Sequence, residues 1–348
     1  MRIGIDIREA MNPKKTGKGL WTQGFLEELR HRGIPLTLFS NRSYDAGSEE
    51  RIVLLQSGFS WHCRTAWTLR KRPDITHYVS PTSYIVPSLL GQDGRMIPVV
   101  HDLIAFQKEP HDNKAVMIER MLLKKIVRSS ALILTVSNAT REDLLQKYPD
   151  ADAEKIAPVY AGPMQEHPPL SKPDGRTILS VGTLCPRKNQ LRLIKAYASL
   201  PDALRKNYDL VLVGPRGWND EEIVTRSRET PGVSWRSYVP DEEYSALLSK
   251  AVVLAFPSLY EGFGMPVLDA LQRGIPVLTS ERGSLKEVAG TAAVFSDPAD
   301  VPSIQSGLKL LLTDQHLRRK LSRKGPLQAR KFSWKRTVDL FLEALKKA

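Results

Sequence analysis

The chain has 348 residues, of which 41% are apolar, so it can bury large cores and is too long for one ordinary domain. Its two cysteines are too few for a disulfide framework or a cysteine metal site, and they fit a reducing compartment. The formal net charge is 51 − 38 = +13, which favours an anionic partner such as a phosphorylated substrate, a lipid surface or nucleic acid.

The first half alternates apolar, β-branched runs with helical patterns. Strand-like runs are RIGIDI, LTLF, RIVLL, ITHYV, MIPVVH and ALILTVS, and helix-like segments such as LWTQGFLEELRHRG and AVMIERMLLKKIVRSS lie between them. The chain opens on a strand pattern, and no run approaches the roughly 18 apolar residues of a membrane-spanning helix. We therefore expect a cytoplasmic protein without a signal peptide.

Two features of the first half follow predicted strands, where parallel sheets bind ligands. Gly17 and Gly19 flank Lys18 between the first strand and the next helix, and glycines there permit close approach of a ligand. His101 closes the run MIPVV and is followed by Asp102. The histidine is either a ligand contact or a hydrogen-bonded structural residue, and the sequence leaves both open.

A proline-rich stretch, 161–175, separates the two halves and predicts a linker. The second half repeats the alternation with TILSVG, LRLIKAYASL, DLVLVG, VSWRSYV, AVVLAFPS, PVLTS and AAVFSD. Strands alternating with helices predict parallel sheets, and continuously apolar strands predict burial on both faces. The fold class is therefore α/β, with two doubly wound parallel-sheet domains and a ligand cleft at the carboxyl ends of the strands.

Cations and a glycine follow two strands of the second half. Arg187 and Lys188 come after TILSVG, and with Asn189 they are expected to open a helix. Two cations at a helix amino end favour an anion such as phosphate; the alternative is ordinary surface charge. Gly214 follows DLVLV, where a glycine either admits a ligand to the backbone or completes a tight turn.

The run SLYEGFGMPVLDA holds two carboxylates around a glycine-rich turn that is expected to start a helix. The turn and the first helical residue are Gly262, Phe263, Gly264 and Met265. Their N–H groups can hold a phosphate. Glu261 and Asp269 suit the vicinal hydroxyls of a sugar or ribose, because ionised carboxylates only accept hydrogen bonds. The alternative is a solvated Glu261 and a locally paired Asp269.

Taken together, these motifs resemble the retaining glycosyltransferases of family 4, which have the GT-B fold. The second half carries SVGTLCPRKN, LVLVGPRGW, YVPDEEYSALLSKA, FPSLYEGFGMPVLDALQRGIPVLTS and SLKEVAGTAAVFSDPAD in family order. The first half matches through TGKGLWT, DITHYVSPTSY, VVHDLIAF and LILTVSNATREDL. The resemblance implies an acceptor domain over 1–165, a nucleotide-sugar domain over 166–330 and a last helix, 331–348, that crosses back to the first domain.

The resemblance also implies roles for residues at the donor. Arg187 and Lys188 would neutralise the diphosphate leaving group, and the N–H groups of the glycine-rich turn would meet phosphate or sugar oxygens. Glu261 would contact hydroxyls of the transferred sugar. Asp269 would hold the ribose, although the family usually has a glutamate there, which is longer by one methylene.

Further positions follow from the same resemblance. His101 matches a histidine near the reaction face of the sugar, so His101, Glu261 and Lys188 form the expected catalytic set. Gly17 and Gly19 match a loop that closes over donor and acceptor. On the donor side lie Gly214 and, in the segment that frames the base, Val239.

The activity implied is transfer of a hexosyl group, often mannosyl in the subgroup resembled, from a GDP- or UDP-sugar to a glycan or lipid-linked acceptor of a surface polysaccharide. Retention is expected through front-face attack, without a metal or another cofactor. The alternatives are a nucleotide-sugar epimerase, a transferase for a small acceptor, and a silent homologue that binds donor only. No nucleic-acid partner is expected, because the basic tail lacks a recognised module.

The distribution of charge adds a membrane hypothesis. The last forty residues, from Lys309, carry 12 Lys or Arg against 3 Asp or Glu. Together with the segment WHCRTAWTLRKR around Trp61 and Trp67, this tail favours peripheral association with the anionic inner face of a cytoplasmic membrane. The alternative is a basic protein that touches no membrane.

Overall fold

The computed structural model describes residues 1–43, 47, 50–90, 94–107, 113–165, 168 and 170–348. The chain divides into two compact units. The first unit contains Met1–Met164 together with Phe332–Ala348, and the second is Gln165–Lys331.

The first unit is a seven-stranded sheet with helices. Its strands are β1 (Ile3–Asp6), β2 (Leu36–Ser40), β3 (Glu50–Leu54), β4 (His77–Ser80), β5 (Met96–Val100), β6 (Ile133–Thr135) and β7 (Ile156–Pro158). Its first helices are α1 (Gly17–His31), α2 (Phe59–Lys71), α3 (Ile85–Leu90), α4 (Asn113–Ser129) and α5 (Asn138–Lys147). The strand order is β3-β2-β1-β4-β5-β6-β7.

The second unit is a six-stranded sheet with helices. Its strands are β8 (Thr177–Val181), β9 (Asp209–Val213), β10 (Val233–Arg236), β11 (Val253–Phe256), β12 (Val277–Thr279) and β13 (Ala293–Phe295). Its helices are α6 (Gln190–Ala198), α7 (Asp202–Asn207), α8 (Glu221–Glu229), α9 (Asp241–Lys250), α10 (Met265–Gln272), α11 (Leu285–Ala289), α12 (Val301–Thr313) and α13 (Gln315–Ala329). The strand order is β10-β9-β8-β11-β12-β13.

Each described strand pairs with its neighbours in parallel, so the prediction of two doubly wound parallel sheets is confirmed. Strands β1, β2, β5 and β11 are buried along their whole length, as expected for strands covered on both faces of a parallel sheet. In both sheets the strand order reverses between two central neighbours. The reversal lies between β1 and β4 in the first unit and between β8 and β11 in the second.

The last helix, α14 (Trp334–Lys347), packs against α1 inside the first unit. A Cβ at Gly24 would lie 2.1 Å from the indole of Trp334, so only glycine admits this ring at α1. The indole N–H of Trp334 donates to the carbonyl of Pro163 over 2.9 Å. Phe341 packs edge-on against Phe25 at 5.2 Å between ring centroids.

The membrane hypothesis meets one correction. Trp61 is fully buried, with the guanidinium of Arg8 stacked 3.5 Å from its ring centre, so it cannot enter a lipid surface; Trp67 is 59% exposed. The basic tail is divided between the units, since residues 309–331 belong to the second unit and 332–348 to the first. These two stretches carry 8 − 1 = +7 and 4 − 2 = +2 formal charges. No helix in the described part of the chain is both long and apolar enough to cross a bilayer.

Candidate functional site

The candidate site in the second unit lies where the strand order reverses. The loops that leave the carboxyl ends of β8 and β11 emerge there side by side, because these strands are hydrogen-bonded neighbours. The first loop carries Arg187 and Lys188, and the second carries Glu261. Reversal points of open parallel sheets are the usual ligand sites of doubly wound folds.

The loop after β8 differs from the prediction. Arg187 and Lys188 do not open a helix: Pro186–Lys188 form a single 3₁₀ turn, and α6 begins only at Gln190. Between them Asn189 takes a left-handed conformation, with φ +64°. The side-chain amide of Asn189 donates to the carbonyls of Pro257, at 2.9 Å, and Pro298, at 2.7 Å. These bonds hold the loop against the end of β11 and favour the interruption.

Glu261 forms ion pairs with both cations of the first loop. Its Oε1 lies 2.7 Å from Nζ of Lys188 and its Oε2 lies 2.9 Å from Nη1 of Arg187. The Glu261 side chain is 8% exposed, so the interpretation of a solvated carboxylate is wrong. The three side chains form what we call the cation–carboxylate cluster, which carries one net positive charge.

Burial and neighbouring charges shift the pKa values of Glu261 and Lys188 in opposite directions. Burial acts to raise the pKa of Glu261, but the charges of Arg187 and Lys188 together outweigh it, and the pKa lies below its ordinary value. Burial lowers the pKa of Lys188, and the nearby Glu261 opposes that change. The carboxylate is therefore ionised at neutral pH, and it supports the charge of the lysine.

Backbone geometry brings the Lys188 ammonium to this place. A Cβ on Gly182 would lie 3.2 Å from Cε of Lys188, and the φ of Gly182 is +143°. The ammonium also lies 4.7 Å from the ring centre of Phe256 at the end of β11. Arg187 is fixed by a second hydrogen bond, from Nη1 to the carbonyl of Tyr260 at 2.9 Å.

The glycine-rich turn is held by Ser284, for which the sequence predicted no role at this turn. The carbonyl of Glu261 accepts from the N–H of Ser284 at 3.1 Å, and the Ser284 hydroxyl donates to the carbonyl of Phe263 at 2.7 Å. Gly264 has φ +99° and immediately precedes α10, which begins at Met265. Residues 261–265 are all buried. The amino end of α10 thus follows directly on Glu261, and its dipole adds positive potential beside the cations.

Asp269 lies in α10, is 4% exposed and has a local partner. The hydroxyl of Tyr244, on α9, donates to its Oδ2 over 3.1 Å. Burial and the Asp269 charge raise the pKa of Tyr244 well above its ordinary value, so the phenol stays protonated and keeps donating. Tyr244 was missed from sequence, because nothing in a helical pattern signals a partner 25 residues away.

If Asp269 holds the ribose, its carboxylate needs the orientation that Tyr244 provides. We expect Tyr244→Phe to weaken nucleoside diphosphate binding about tenfold, because loss of one buried hydrogen bond to a charged group costs about 1.5 kcal/mol. Calorimetric titration measures this change. Tyr208→Phe, which removes a hydroxyl bonded to the carbonyl of Leu312, serves as the control. Equal dissociation constants for Tyr244→Phe and the control would contradict the expectation.

Gly214 and Val239 lie near the ends of the outer strands. A Cβ on Gly214 would come within 2.2 Å of the carbonyl oxygen of Gly182, so packing between the loops after β8 and β9 already accounts for the glycine. Val239 is half-buried in the loop between β10 and α9. Their roles at a donor therefore stay predictions.

In the first unit, His101 directly follows β5, at the carboxyl end of that strand. Nε2 of His101 lies 2.9 Å from the carbonyl oxygen of Pro81, which only accepts, so this nitrogen donates. The indole of Trp21 meets the imidazole edge-on at 5.6 Å. Burial and the charge of Lys18 lower the pKa of His101 to about 3. His101 is therefore neutral at physiological pH, with Nδ1 as an acceptor.

The placement of Gly17 and Gly19 differs from the prediction of a loop. They are the first and third residues of α1, which begins after the extended Thr16. A Cβ on Gly19 would lie 2.6 Å from the carbonyl oxygen of Glu9, whereas Gly17 has open space around it. Close packing thus explains Gly19.

Glu119, on α4, is a further titratable residue that the sequence did not single out. Burial raises its pKa to about 7, with Lys18 opposing and Asp102 supporting the rise. Its neighbours include Tyr84 and Tyr148, whose pKa values burial also raises. Together with His101, these residues form a polar group in the first unit.

The raised pKa of Glu119 predicts a pH-dependent stability. A folded-state pKa near 7, above the ordinary 4.5, gives a contribution that is fully present below pH 4.5 and is lost as pH rises through 7. The free energy of unfolding of Glu119→Gln, relative to that of the wild type, should therefore rise by about 3 kcal/mol between pH 5 and pH 8. The figure is the pKa shift multiplied by the free energy of one pKa unit. Calorimetric melting at both pH values measures it, with Glu142→Gln as a control. A difference in Tm that stays constant with pH would contradict it.

Comparison with known proteins agrees with these observations. The model of the family described as "Glycosyl transferases group 1" matches residues 165–328, and that of "Glycosyltransferase Family 4" matches residues 19–163. O-antigen chain mannosyltransferase B of Escherichia coli is 32% identical over 299 residues, which span 81% of this chain and 77% of that relative.

Solved structures share the fold. Sucrose-phosphate synthase from Thermosynechococcus elongatus superposes with a TM-score of 0.83 at 17% identity, covering 100% of this chain and 98% of that one. HepE of Anabaena, in complex with UDP-glucose, gives a TM-score of 0.77 at 15% identity, covering 100% and 99%. The two parallel-sheet α/β units are thus those of the GT-B glycosyltransferase fold.

Proposed function

Because the chain belongs to glycosyltransferase family 4, we propose that it is a retaining hexosyltransferase that uses a nucleoside-diphosphate sugar in the synthesis of a cell-surface polysaccharide. The observation that carries this proposal is the cation–carboxylate cluster of Arg187, Lys188 and Glu261 at the strand reversal of the second unit. The first unit would hold the glycan or lipid-linked acceptor. The name of the O-antigen relative supports mannose as the transferred sugar.

The donor diphosphate is assigned to the two cations. When the glycosidic bond to the diphosphate breaks, negative charge builds on the leaving phosphate, and fixed positive groups stabilise that charge without reorganising. The burial of Lys188 strengthens the effect, because charges interact more strongly away from water. The N–H groups from Gly262 to Met265 would contact further phosphate or sugar oxygens.

Glu261 has two assignments that are compatible. Both of its carboxylate oxygens pair with cations, so it positions Arg187 and Lys188. Each oxygen has a second lone pair, which can accept from a hydroxyl of the transferred sugar. Asp269, oriented by Tyr244, would accept from the ribose hydroxyls, and Val239 would border the base.

Retention follows from attack on the face from which the diphosphate departs. The acceptor oxygen forms its bond to the anomeric carbon as the bond to the phosphate oxygen breaks, and the leaving phosphate takes the acceptor proton. Neutral His101 would contact the sugar, with Nδ1 accepting from a sugar hydroxyl. No side chain of this scheme forms a covalent intermediate.

We propose that no metal or other cofactor takes part, since the two cations supply the charge that a divalent ion supplies elsewhere. Among the described residues no group of three His, Cys, Asp or Glu side chains is arranged to hold a metal ion. Activity should therefore be unchanged after dialysis against EDTA. A loss of activity that Mg²⁺ or Mn²⁺ restores would contradict this expectation.

The experiment that tests the function is a donor and acceptor screen. GDP-mannose, UDP-glucose and related sugars are incubated with the enzyme, with and without lipid-linked or oligosaccharide acceptors, and nucleoside diphosphate release and products are measured. Acceptor-dependent release with one donor and an anomerically retained product supports the proposal. Conversion of the donor to another nucleotide sugar would indicate an epimerase, and binding without turnover would indicate a silent homologue.

We place the enzyme at the inner face of a cytoplasmic membrane, where lipid-linked acceptors and an anionic surface occur together. Nucleic acid has no part in this proposal. Since Trp61 is buried, it takes no part in this membrane contact.

A further inference from the structure

Three neighbouring strands of the first sheet are each followed by a polar residue that the proposed mechanism does not use. Lys18 lies at the start of α1, which follows β1, Tyr84 comes after β4, and Asp102 comes after β5. Strands β1, β4 and β5 are adjacent, and the strand order reverses between β1 and β4. This edge of the first sheet is therefore the position at which a doubly wound domain binds a ligand.

Glu119, on α4, belongs to the same group of side chains. Burial raises its pKa to about 7, the charge of Lys18 opposes this rise, and the charge of Asp102 adds to it. Burial and the nearby Glu119 also raise the pKa values of Tyr84 and Tyr148. Charges shift one another's pKa values only at short range, so these five side chains form one neighbourhood, which we call the acid–tyrosine group.

The members of the acid–tyrosine group lie close together without bonding to one another. Within the described part of the chain, the carboxyl of Glu119, the ammonium of Lys18 and the two tyrosine hydroxyls have no hydrogen-bond or ion-pair partner. Asp102 accepts from the N–H of Ile104 at Oδ1, over 3.0 Å, and its Oδ2 has no such bond. Lys18 is exposed and the other four are half-buried, so their polar atoms can bind a ligand.

The chemical character of the acid–tyrosine group suits the hydroxyls of an uncharged sugar. With both carboxyls ionised, its formal charge is 1 − 2 = −1, from Lys18, Asp102 and Glu119. Carboxylates accept from sugar hydroxyls, whereas tyrosine hydroxyls and a protonated carboxyl can also donate. A phosphorylated or acidic sugar would add a negative charge beside the two carboxyls, and like charges repel.

We propose that the acid–tyrosine group is the subsite for the terminal sugar of the acceptor, where Asp102 and Glu119 bind its hydroxyls and select an uncharged sugar. The inference rests on the proposed function and deepens it by naming the class of acceptor. A transferase must hold the attacking hydroxyl in a fixed orientation, which several hydrogen bonds to one sugar provide. Asp102 directly follows His101, so the subsite adjoins the residue that would contact the transferred sugar.

The test measures sugar binding by the full chain without donor turnover. The probes are methyl α-mannoside, methyl α-glucoside, N-acetylglucosamine and their 6-phosphates, titrated by saturation-transfer NMR with and without GDP or UDP. The wild type should bind a neutral sugar more tightly than its phosphate. Glu119→Gln keeps the size of the side chain but removes its charge, so it should bind the neutral sugar about tenfold more weakly and discriminate less against the phosphate.

A second variant and a control separate recognition from folding. Asp102→Asn retains an oxygen that can accept from Ile104 and should act in the same direction as Glu119→Gln. Glu142→Gln, on α5, is the matched control, because Glu142 is exposed and bonded to the side chain of Asn138. In steady-state assays Glu119→Gln should raise the KM for the acceptor about tenfold and leave the KM for the donor unchanged, a split that partial unfolding does not produce.

Three results would overturn the proposal. They are equal sugar binding by Glu119→Gln, Asp102→Asn and the control, tighter binding of a phosphate than of its neutral sugar by the wild type, and binding of no sugar by the wild type in any titration. Each of them leaves the transferase function standing, provided that nucleoside diphosphate release from the donor depends on an acceptor.

Discussion

Lys188→Met is expected to lower kcat about 10²- to 10³-fold while the protein stays folded, the loss found when one charge-stabilising donor is removed from an active site. Methionine retains most of the aliphatic stem that passes over Gly182 and Phe256, so packing is largely preserved. Arg187 remains paired with Glu261, and the carboxylate is not left without a cation. The variant therefore removes charge at the leaving diphosphate and little else.

The matched control is Lys195→Ala, on the following helix α6. Lys195 makes an exposed ion pair with Glu222, at 3.7 Å, of the kind that contributes little to stability. The kcat of Lys195→Ala should equal that of the wild type. If Lys188→Met and Lys195→Ala turn over equally fast, Lys188 does not act on the leaving group.

Glu261→Ala is expected to destabilise the protein by about 3–5 kcal/mol, the cost of removing one partner from a buried ion pair. Arg187 and Lys188 would then lie buried together without a counterion, and neither can easily reach water, since their side chains are 20% and 13% exposed. Calorimetric melting at neutral pH measures the loss. Glu222→Ala, the exposed carboxylate paired with Lys195, should melt within a degree or two of the wild type.

The ion pairs of Glu261 also make the stability of the protein depend on pH. Because the folded-state pKa of Glu261 is lowered, its stabilisation is present above the ordinary pKa of 4.5 and is lost as pH falls through the lower, folded value. The Tm difference between wild type and Glu261→Ala should therefore shrink in acid. If Glu261→Ala also carries Lys188→Met, the combined loss should be smaller than the sum of the two, since one uncompensated charge is gone. Additive losses would show that the cluster is not energetically coupled.

The fold could be predicted from the sequence, because the pattern that indicates it is local and recurs along the chain. Short runs such as DLVLV and AVVLAF alternate with helical patterns, and a parallel sheet buries such runs on both faces. The predicted start of α6 was wrong by a few residues, because Asn189 interrupts the helix through hydrogen bonds to Pro257 and Pro298. Those partners are distant in sequence, and helical periodicity carries no information about them.

The candidate site shows the same limit. Lys188, Arg187 and Glu261 were each selected from sequence, but as separate contacts of diphosphate and sugar. Their mutual pairing spans 73 residues and depends on β8 and β11 being neighbours. Trp61 and Trp67 looked alike in sequence, yet one faces the core and the other solvent, because six residues turn an α-helix through well over one full rotation.

The most direct test of the central claim, that the cation–carboxylate cluster binds the diphosphate of a nucleotide sugar, is calorimetric titration of GDP and UDP into the wild type, Lys188→Met and Lys195→Ala. We predict that the wild type and Lys195→Ala bind one of the two nucleotides with equal affinity. Lys188→Met should bind it about tenfold or more weakly, the loss expected for a buried charge-assisted contact. Equal binding by all three proteins, or binding by none, would contradict the account.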